Sequence, residues 1–491
     1  MLLLTFLVLY NAKAGTVHLG KNNSFANIQA AAATIKPGDT VFLHSGLYEG
    51  YQIISRLKGT PEAPILITRY FSDDIEIRGG WQFVSCEHIK FLNLNFQANE
   101  QYPGRLINVD NGGSCETRSR FIVFDSCSFS GVTDTKAICA LKFGGVDDFE
   151  VRNCSFTDNP GCDAMDFNVC HRGLISNNQI LDCLSGGHIK GGSSGITMER
   201  NLFFNAAGDG WVAFELGGDT GDQFYCPGDD FEVKDLNFYS NIVAGGYRGL
   251  ALSSARDCRV INNTFYDCGQ ATFRLLTTSH KFPALAGNVI ENNLFAFGDA
   301  KYFNGSPQPA NAAKFDRNIY YGLKDKNFAG PYWDSPALDS VKESNPMVYG
   351  SETPMFGYPD AIIYALASGS PALGAGKPQE EPRFDFLGRA FSQSTRSIGA
   401  IEFLPLGTKD AAGRSCKVIY APENKQITVW AAEAGESQTV IVYDILGNSV
   451  CSRDFRGAFL SIDASALASG AYFVIVRSGK GESCSKGILV E

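Results

Sequence analysis

The sequence predicts an all-β chain: a right-handed parallel β-helix of three-strand coils, followed by a small antiparallel β-sandwich. Three observations predict it. A short phrase recurs along most of the 491 residues: a polar residue, often Asn, then any residue, then a large apolar one. The segments between recurrences are too short for helical pairs and read as brief strands with Asn and Gly turns. The phrase then stops, and the tail reads as strands joined by hairpin turns.

The phrase appears as Asn95-Phe96 in a variant form, then as Cys127-Ser128-Phe129, Cys154-Ser155-Phe156, Asn178-Gln179-Ile180, Asn201-Leu202-Phe203 and Asn241-Ile242-Val243. Asn263-Thr264-Phe265, Asn293-Leu294-Phe295 and Asn318-Ile319-Tyr320 complete it. Its apolar members lie 22 to 40 residues apart, the wider gaps being insertions. A unit of 22–25 residues suits one coil, and the L-x-x-L-x-L frame of a leucine-rich repeat is missing. One coil cannot bury its own inner face, so coils stack about 4.8 Å apart. Stacking sets Asn on Asn, where side-chain amides can hydrogen-bond along the axis. Asn and Gly in the turns tolerate positive φ.

The remaining elements follow in chain order. MLLLTFLVLY and then Asn11-Ala12-Lys13-Ala14 resemble a secretory signal peptide cut after Ala14, so residues 1–14 are set apart. Phe25 to Ile35 is Ala-rich and amphipathic, a candidate helix capping the first coil. The helix domain spans 15–405 and the sandwich 406–491. Tail strands are expected at Gln426–Trp430, Thr439–Tyr443 and Ala471–Val476, with Leu446-Gly447-Asn448 as a hairpin turn.

Composition narrows the function. Hydrophobic residues make up 44%, enough for a long core, and the net charge is −10. That balance argues against a nucleic-acid partner, which needs a basic surface. An acidic ligand would have to meet a local cationic patch against the global field. No stretch after the first residues reaches the roughly 18 apolar residues of a membrane helix. Of the 14 cysteines, eleven fall between Cys86 and Cys268 and three in the tail, without a C-x-x-C pair, so zinc is disfavoured. Cys127 and Cys154 hold equivalent repeat positions and suit stacked buried thiols at least as well as a bridge.

Pro37-Gly38-Asp39-Thr40 and Gly59-Thr60-Pro61-Glu62-Ala63-Pro64-Ile65 resemble phrases of secreted pectin-lyase-like β-helix proteins, a group that includes chondroitinase B-like and alginate lyase-like polysaccharide lyases. Lys190-Gly191-Gly192-Ser193-Ser194 and Gly217-Gly218-Asp219-Thr220-Gly221 resemble a family of secreted β-helix proteins. Ser370-Pro371-Ala372-Leu373-Gly374 through Ile398-Gly399-Ala400-Ile401-Glu402 resembles the closing stretch of such helices. In the tail, Tyr443-Asp444-Ile445-Leu446-Gly447, Leu467-Ala468-Ser469-Gly470-Ala471-Tyr472-Phe473 and Lys486-Gly487-Ile488-Leu489-Val490 resemble the C-terminal sorting domain of type IX secretion. That resemblance implies a protein handed to the type IX machinery and sent to the outer surface, or the medium, of a Gram-negative bacterium. The tail would be removed there and take no part in chemistry. A monomer is expected.

Candidate chemistry sits on one strand per coil. Counting back from the repeat places Leu141, Phe143, Met165, Phe167, Phe214, Leu216, Leu250, Leu252, Phe273 and Leu275 inward. Lys142, Asp166, His188, Lys190, Glu215, Ser253 and Arg274 then face outward. By this count Lys190 falls between Asp166 and Glu215 on consecutive rungs, with Arg274 about 14 Å away. Asp163, at an odd offset from Asp166, is expected on the opposite side. Trp211, Tyr247, Arg248 and His280 occupy flanking turns as sugar-binding candidates. Asp219, Asp222, Asp229 and Asp230 form an acidic insertion that could wall a groove. His18, His44 and His88 lack an evident acidic partner.

The resemblance to lyases implies that Lys190 removes a proton α to a uronate carboxylate while Arg274 or Ca²⁺ stabilises the anion. A Lys between two carboxylates is held protonated, which opposes that role. Calcium on Asp166 and Glu215 would lift the objection. Two alternatives stand beside the lyase: an inverting glycoside hydrolase using Asp166 and Glu215, about 9–10 Å apart, and a non-catalytic glycan-binding surface protein.

Overall fold

The fold was analysed in a computed structural model that describes residues 14–71, 73–102, 105–134, 139–205, 212–297, 302–305, 311–323, 339–341, 364, 366 and 370–402. In the tail it describes 417–421, 425–430, 438–444, 449–456, 459–467, 470–478 and 483–490. Residues 1–13 of the proposed signal peptide, Trp211 and the Leu446-Gly447-Asn448 turn lie outside these residues.

The first unit, through Phe403, is a parallel β-helix. Each coil adds one strand to each of three faces. One face runs through Cys139–Gly144, the second halves of Ser155–Asn168 and Gln179–Lys190, then Val212–Gly217, Arg248–Ser253 and Ala271–Leu276; we call it the site face. The recurring phrase lies on another. Its apolar members pair in unbroken register, Phe96 with Phe129, then Phe156, Ile180, Phe203, Val243, Phe265, Phe295 and Tyr320.

Two stacks run up the interior. Phe96, Phe129 and Phe156 lie with centroids 5.3 and 4.7 Å apart, and Phe265, Phe295 and Tyr320 at 4.9 and 5.3 Å. Each buried ring contributes about 1.5–3 kcal/mol, and stacking adds about 0.5–1.5. Beside them Asn178, Asn201, Asn241, Asn263, Asn293 and Asn318 form a buried ladder. Each of the first five donates its amide to the next Asn carbonyl at 2.9–3.2 Å. Each ladder carbonyl from Asn201 to Asn318 also accepts the preceding Asn backbone N–H. The residue before each rung turns the chain at φ 52–56°: Asn177, Arg200, Ser240, Asn262, Asn292 and Arg317. At Arg200 and Arg317 this left-handed conformation costs about 1–2 kcal/mol, which the repeat's packing overrides. Cys127 and Cys154 continue the column as buried thiols.

The capping helix is shorter than expected, one turn at Ile28–Ala31. Asn27 caps it by accepting from Ala30 N–H at 2.9 Å, and Thr34 folds back onto the Ala31 carbonyl. Ile28 and Ala31 close the core beneath. At the other end, residues 370–402 dock on the turn before the ladder. Asn262 donates to the Ser397 and Gly399 carbonyls at 2.9 and 3.0 Å, and the fully buried Arg396 binds the Gln379 and Pro382 carbonyls.

The second unit begins at Leu404. Lys417–Ala421, Gln426–Trp430 and Phe459–Asp463 form one antiparallel sheet. Ser449–Phe455, Gln438–Asp444, Gly470–Ser478 and Ser483–Val490 form another. Val418, Ile427, Val429, Val440, Val442 and Val474 fill its core.

Candidate active site

The inward parity is as expected: Leu141, Phe143, Met165, Phe167, Phe214, Leu216, Leu250, Leu252, Phe273 and Leu275 are all buried. The register between rungs differs from the sequence count. Lys142 pairs with Asp166, Asp166 with His188, His188 with Glu215, Glu215 with Ala251, and Ala251 with Arg274. His188, not Lys190, therefore lies between the two carboxylates. Lys190 belongs to the next column, beside Asn168. The cause is a turn of unequal length. Asn159 pairs with Cys183 and Asp163 with Ser185, so three residues on one coil stand opposite one on the next. A slip of two keeps every side chain on its face and changes only its rung neighbour.

Asp166 is 1% exposed and tightly engaged. Lys142 Nζ lies 3.3 Å from its Oδ2, His188 Nε2 lies 3.3 Å from its Oδ1, and the Asn168 amide donates to Oδ1 at 2.7 Å. Burial, the largest influence, would raise its pKa; His188, Lys142 and Lys190 together outweigh it and hold the carboxyl at about 2. Asp163 breaks the parity expectation. It reaches the same imidazole from the other side, 3.5 Å from Nδ1. Burial raises its pKa, only partly countered by His188. His188 is thus gripped by two carboxylates pushed in opposite directions.

The backbone before His188 explains the grip. A Cβ on Gly186 would sit 1.8 Å from the Ala213 carbonyl oxygen, and one on Gly187, at φ +119°, 1.8 Å from that of Met165. Only glycines let the rungs close here. At Gly218 there is ordinary room, the Lys190 Cδ passing 3.5 Å from where a Cβ would stand. The Lys190 stem therefore leans over the next coil, that of Glu215. Arg274 stands two rungs beyond Glu215, with the small Ala251 between them. It is 8% exposed, its Nε has no hydrogen-bond partner among the described residues, burial lowers its pKa and the Glu215 carboxylate opposes that. Lys190 makes no ion pair among the described residues.

A long insertion follows the site-face strand Val212–Gly217. The 218–232 loop is pinned by Glu232, fully buried, which accepts Gly191 N–H at 3.0 Å and the Thr220 hydroxyl at 2.6 Å, and binds Tyr225. The Cys115–Cys226 disulfide ties this loop to that at 111–118. In the acidic insertion Asp219 meets His280 Nδ1 at 2.5 Å, Asp222 meets Lys281 at 3.3 Å, and Asp229 accepts the Cys226 backbone N–H at 2.7 Å. Ser253, expected outward in the open, is buried and bonded to Thr278. Glu232 and the disulfide left no signal in the sequence, because their partners are separated by insertions of arbitrary length.

Of the flanking candidates, Arg248 donates to Gln270 at 2.8 Å and lies over the Tyr247 ring. His280, against the insertion, is about half exposed. His44, expected without an acidic partner, faces Asp73, and His18 contacts His44. Calcium does not fit Asp166 and Glu215. Both Asp166 oxygens already face Lys142, His188 and Asn168, whereas calcium needs six to eight free oxygens. Among the described residues no cluster of three or more His, Cys, Asp or Glu is set to hold a metal.

Residues 419–491 match the secretion system C-terminal sorting domain. The tail is thus a type IX sorting domain that directs the chain to the cell surface or beyond it. No helix among the described residues is long and apolar enough to cross a membrane. No curated protein matches the chain. Among solved structures, an alginate lyase from a Paenibacillus species is 16% identical, with 55% of this chain and 96% of that one covered and a TM-score of 0.38. A mannuronic-acid-specific family 6 polysaccharide lyase from human gut microbiota is 14% identical, covering 63% and 81%, at 0.40. XylC in complex with xylose is 11% identical, covering 79% and 98%, at 0.45.

Proposed function

We propose that this surface-directed protein is a polysaccharide lyase that cleaves a uronate-containing glycan by β-elimination on the site face. The reading is supported by two cations on the outward side of the site face, Lys190 beside the end of the Glu215 strand and Arg274 two rungs beyond Glu215. Elimination needs a base at the α-proton and a cation at the carboxylate, and here the two come from separate rungs.

In this reading Lys190 takes the proton from the carbon α to the uronate carboxylate. His188, and not Lys190, occupies the rung between Asp166 and Glu215. Arg274 faces the substrate carboxylate and spreads the negative charge as the proton leaves. Its Nε is buried and has no hydrogen-bond partner among the described residues. Glu215 keeps the guanidinium charged and oriented. Asp163 and Asp166 hold the His188 ring in place between them. A hydrolase acting through Asp166 is disfavoured, because a carboxylate 1% exposed and engaged by three groups cannot reach a glycosidic oxygen or a water.

Incubation with alginate, pectate and chondroitin sulfate tests the reading. New absorbance near about 235 nm, the mark of an unsaturated uronate, is expected with one of them. Lys190→Ala should lower that rate about 10²–10⁴-fold with an unchanged melting point, the range for loss of a general base. New reducing ends without the absorbance would overturn the reading in favour of hydrolysis. Neither product from any polyanion would leave a binding surface.

A further inference from the structure

On a different face, in the N-terminal coils, lies a groove of about 760 Å³ that the proposed reaction does not use. Its floor is the outward side of Gly46–Glu49, Ile75–Arg78, Asn95–Gln97 and Ser128–Ser130. Alternation sends Tyr48, Ile77, Phe96 and Phe129 into the core and leaves Leu47, Glu76, Asn95, Gln97, Ser128 and Ser130 outside. Leu47 stands beside Glu76, Asn95 beside Ser128, and Gln97 beside Ser130 on successive rungs. The Ser128 hydroxyl donates to Asn95 Oδ1 at 3.0 Å and holds that amide in place.

One end of the groove, at Ser45 and Asp74, adjoins a cluster of rings through their sequence neighbours His44 and Asp73. Tyr70 lies 4.3 Å from the His44 ring, Phe42 meets Tyr70 edge-on at 5.3 Å, and Phe71 meets Tyr70 edge-on at 4.6 Å. Phe71 is 80% exposed on a left-handed backbone at φ 49°. That conformation is strained for a bulky residue, and so little burial does not offset it.

We propose that the groove, with Tyr70 and Phe71 at its end, binds a neutral glycan. The apolar C–H face of a pyranose packs on an exposed ring, while its hydroxyls exchange hydrogen bonds with amides and hydroxyls such as those of Asn95, Gln97, Ser128 and Ser130. Rungs about 4.8 Å apart nearly match the advance per residue of an extended β-linked glycan, so a chain laid along the axis meets fresh polar groups about once per sugar. Charge selects the class. Asp74 and Glu76 line the groove, no lysine or arginine among the described residues does, and the neighbouring Arg78 is taken by Glu76 at 2.7 Å. A uronate carboxylate would find repulsion here and no cation to pair with. The groove is therefore distinct in ligand from the site face, and it stands whether or not that face is a lyase.

The full chain, titrated by calorimetry with cellohexaose, xylohexaose, mannohexaose and oligomannuronate, tests the site. One of the neutral chains is expected to bind once per protein. Phe71→Ala should weaken that binding about 10-fold, the loss of one ring contact, and Gln97→Ala about 3–10-fold. Both side chains are exposed, so melting points should not fall. Lys190→Ala should bind the same sugar as the unaltered protein does, which separates this groove from the site face. Failure of all three neutral chains to bind, or binding that Phe71→Ala and Gln97→Ala leave unchanged, would overturn the site. So would oligomannuronate binding that is tighter than theirs and weakened by Phe71→Ala.

Discussion

Replacing Asp166 by Asn removes one charge from the centre of the site face while keeping its shape. The cost can be worked from the structure. The carboxyl stands at about 2 in the folded chain against an ordinary 3.8. A shift of nearly two units corresponds to about 2 kcal/mol in favour of the folded state at neutral pH. Because the folded value is the lower one, that contribution is complete above about pH 4 and disappears as pH falls toward 2. Asp166→Asn should therefore be about 2 kcal/mol less stable at pH 7, and the gap should close on acidification. Urea unfolding followed by circular dichroism at pH 7, 5, 3 and 2 measures both chains. A variant as stable as the unaltered protein at pH 7 would refute the argument. So would a gap that persists at pH 2, since it would arise from packing rather than from ionisation beside Lys142 and His188.

Two further substitutions probe the scaffold. Asn241→Ala strips acceptors from the backbone N–H and side-chain amide of Asn201, both buried, and should cost about 2–4 kcal/mol in urea unfolding; a loss below about 1 kcal/mol would show that the ladder is not a stabilising element. Gly187→Ala sets a Cβ against the Met165 carbonyl at φ +119° and should cost about 3 kcal/mol or more, whereas Gly191→Ala, at φ +67° with 3.1 Å of room, should cost about 1–2. Equal melting points for the two would contradict the close approach before His188.

Much of the fold was legible because the repeat writes the same physics on every coil. Asn and apolar positions recur where one coil must stack on another, so the ladder and the aromatic columns could be read residue by residue. The capping helix was overestimated because Phe25 to Ile35 carries helical periodicity, yet the chain needs only Ile28 and Ala31 to close the core. Asp163 was misplaced by parity, which assumes a regular strand, and the register shift next to it breaks that assumption.

Where the strands are regular, local alternation by itself determined which residues face outward on the site face, since a strand sends successive side chains to opposite sides wherever its neighbours lie. It could not determine which outward residue meets which. That depends on turn lengths between faces, and two extra residues after Asn159 moved His188 rather than Lys190 between Asp166 and Glu215. The same holds for Glu232 under the Lys190 turn and for Cys115 with Cys226. Such contacts join segments whose separation is set by insertions, and only the closed solenoid brings them together.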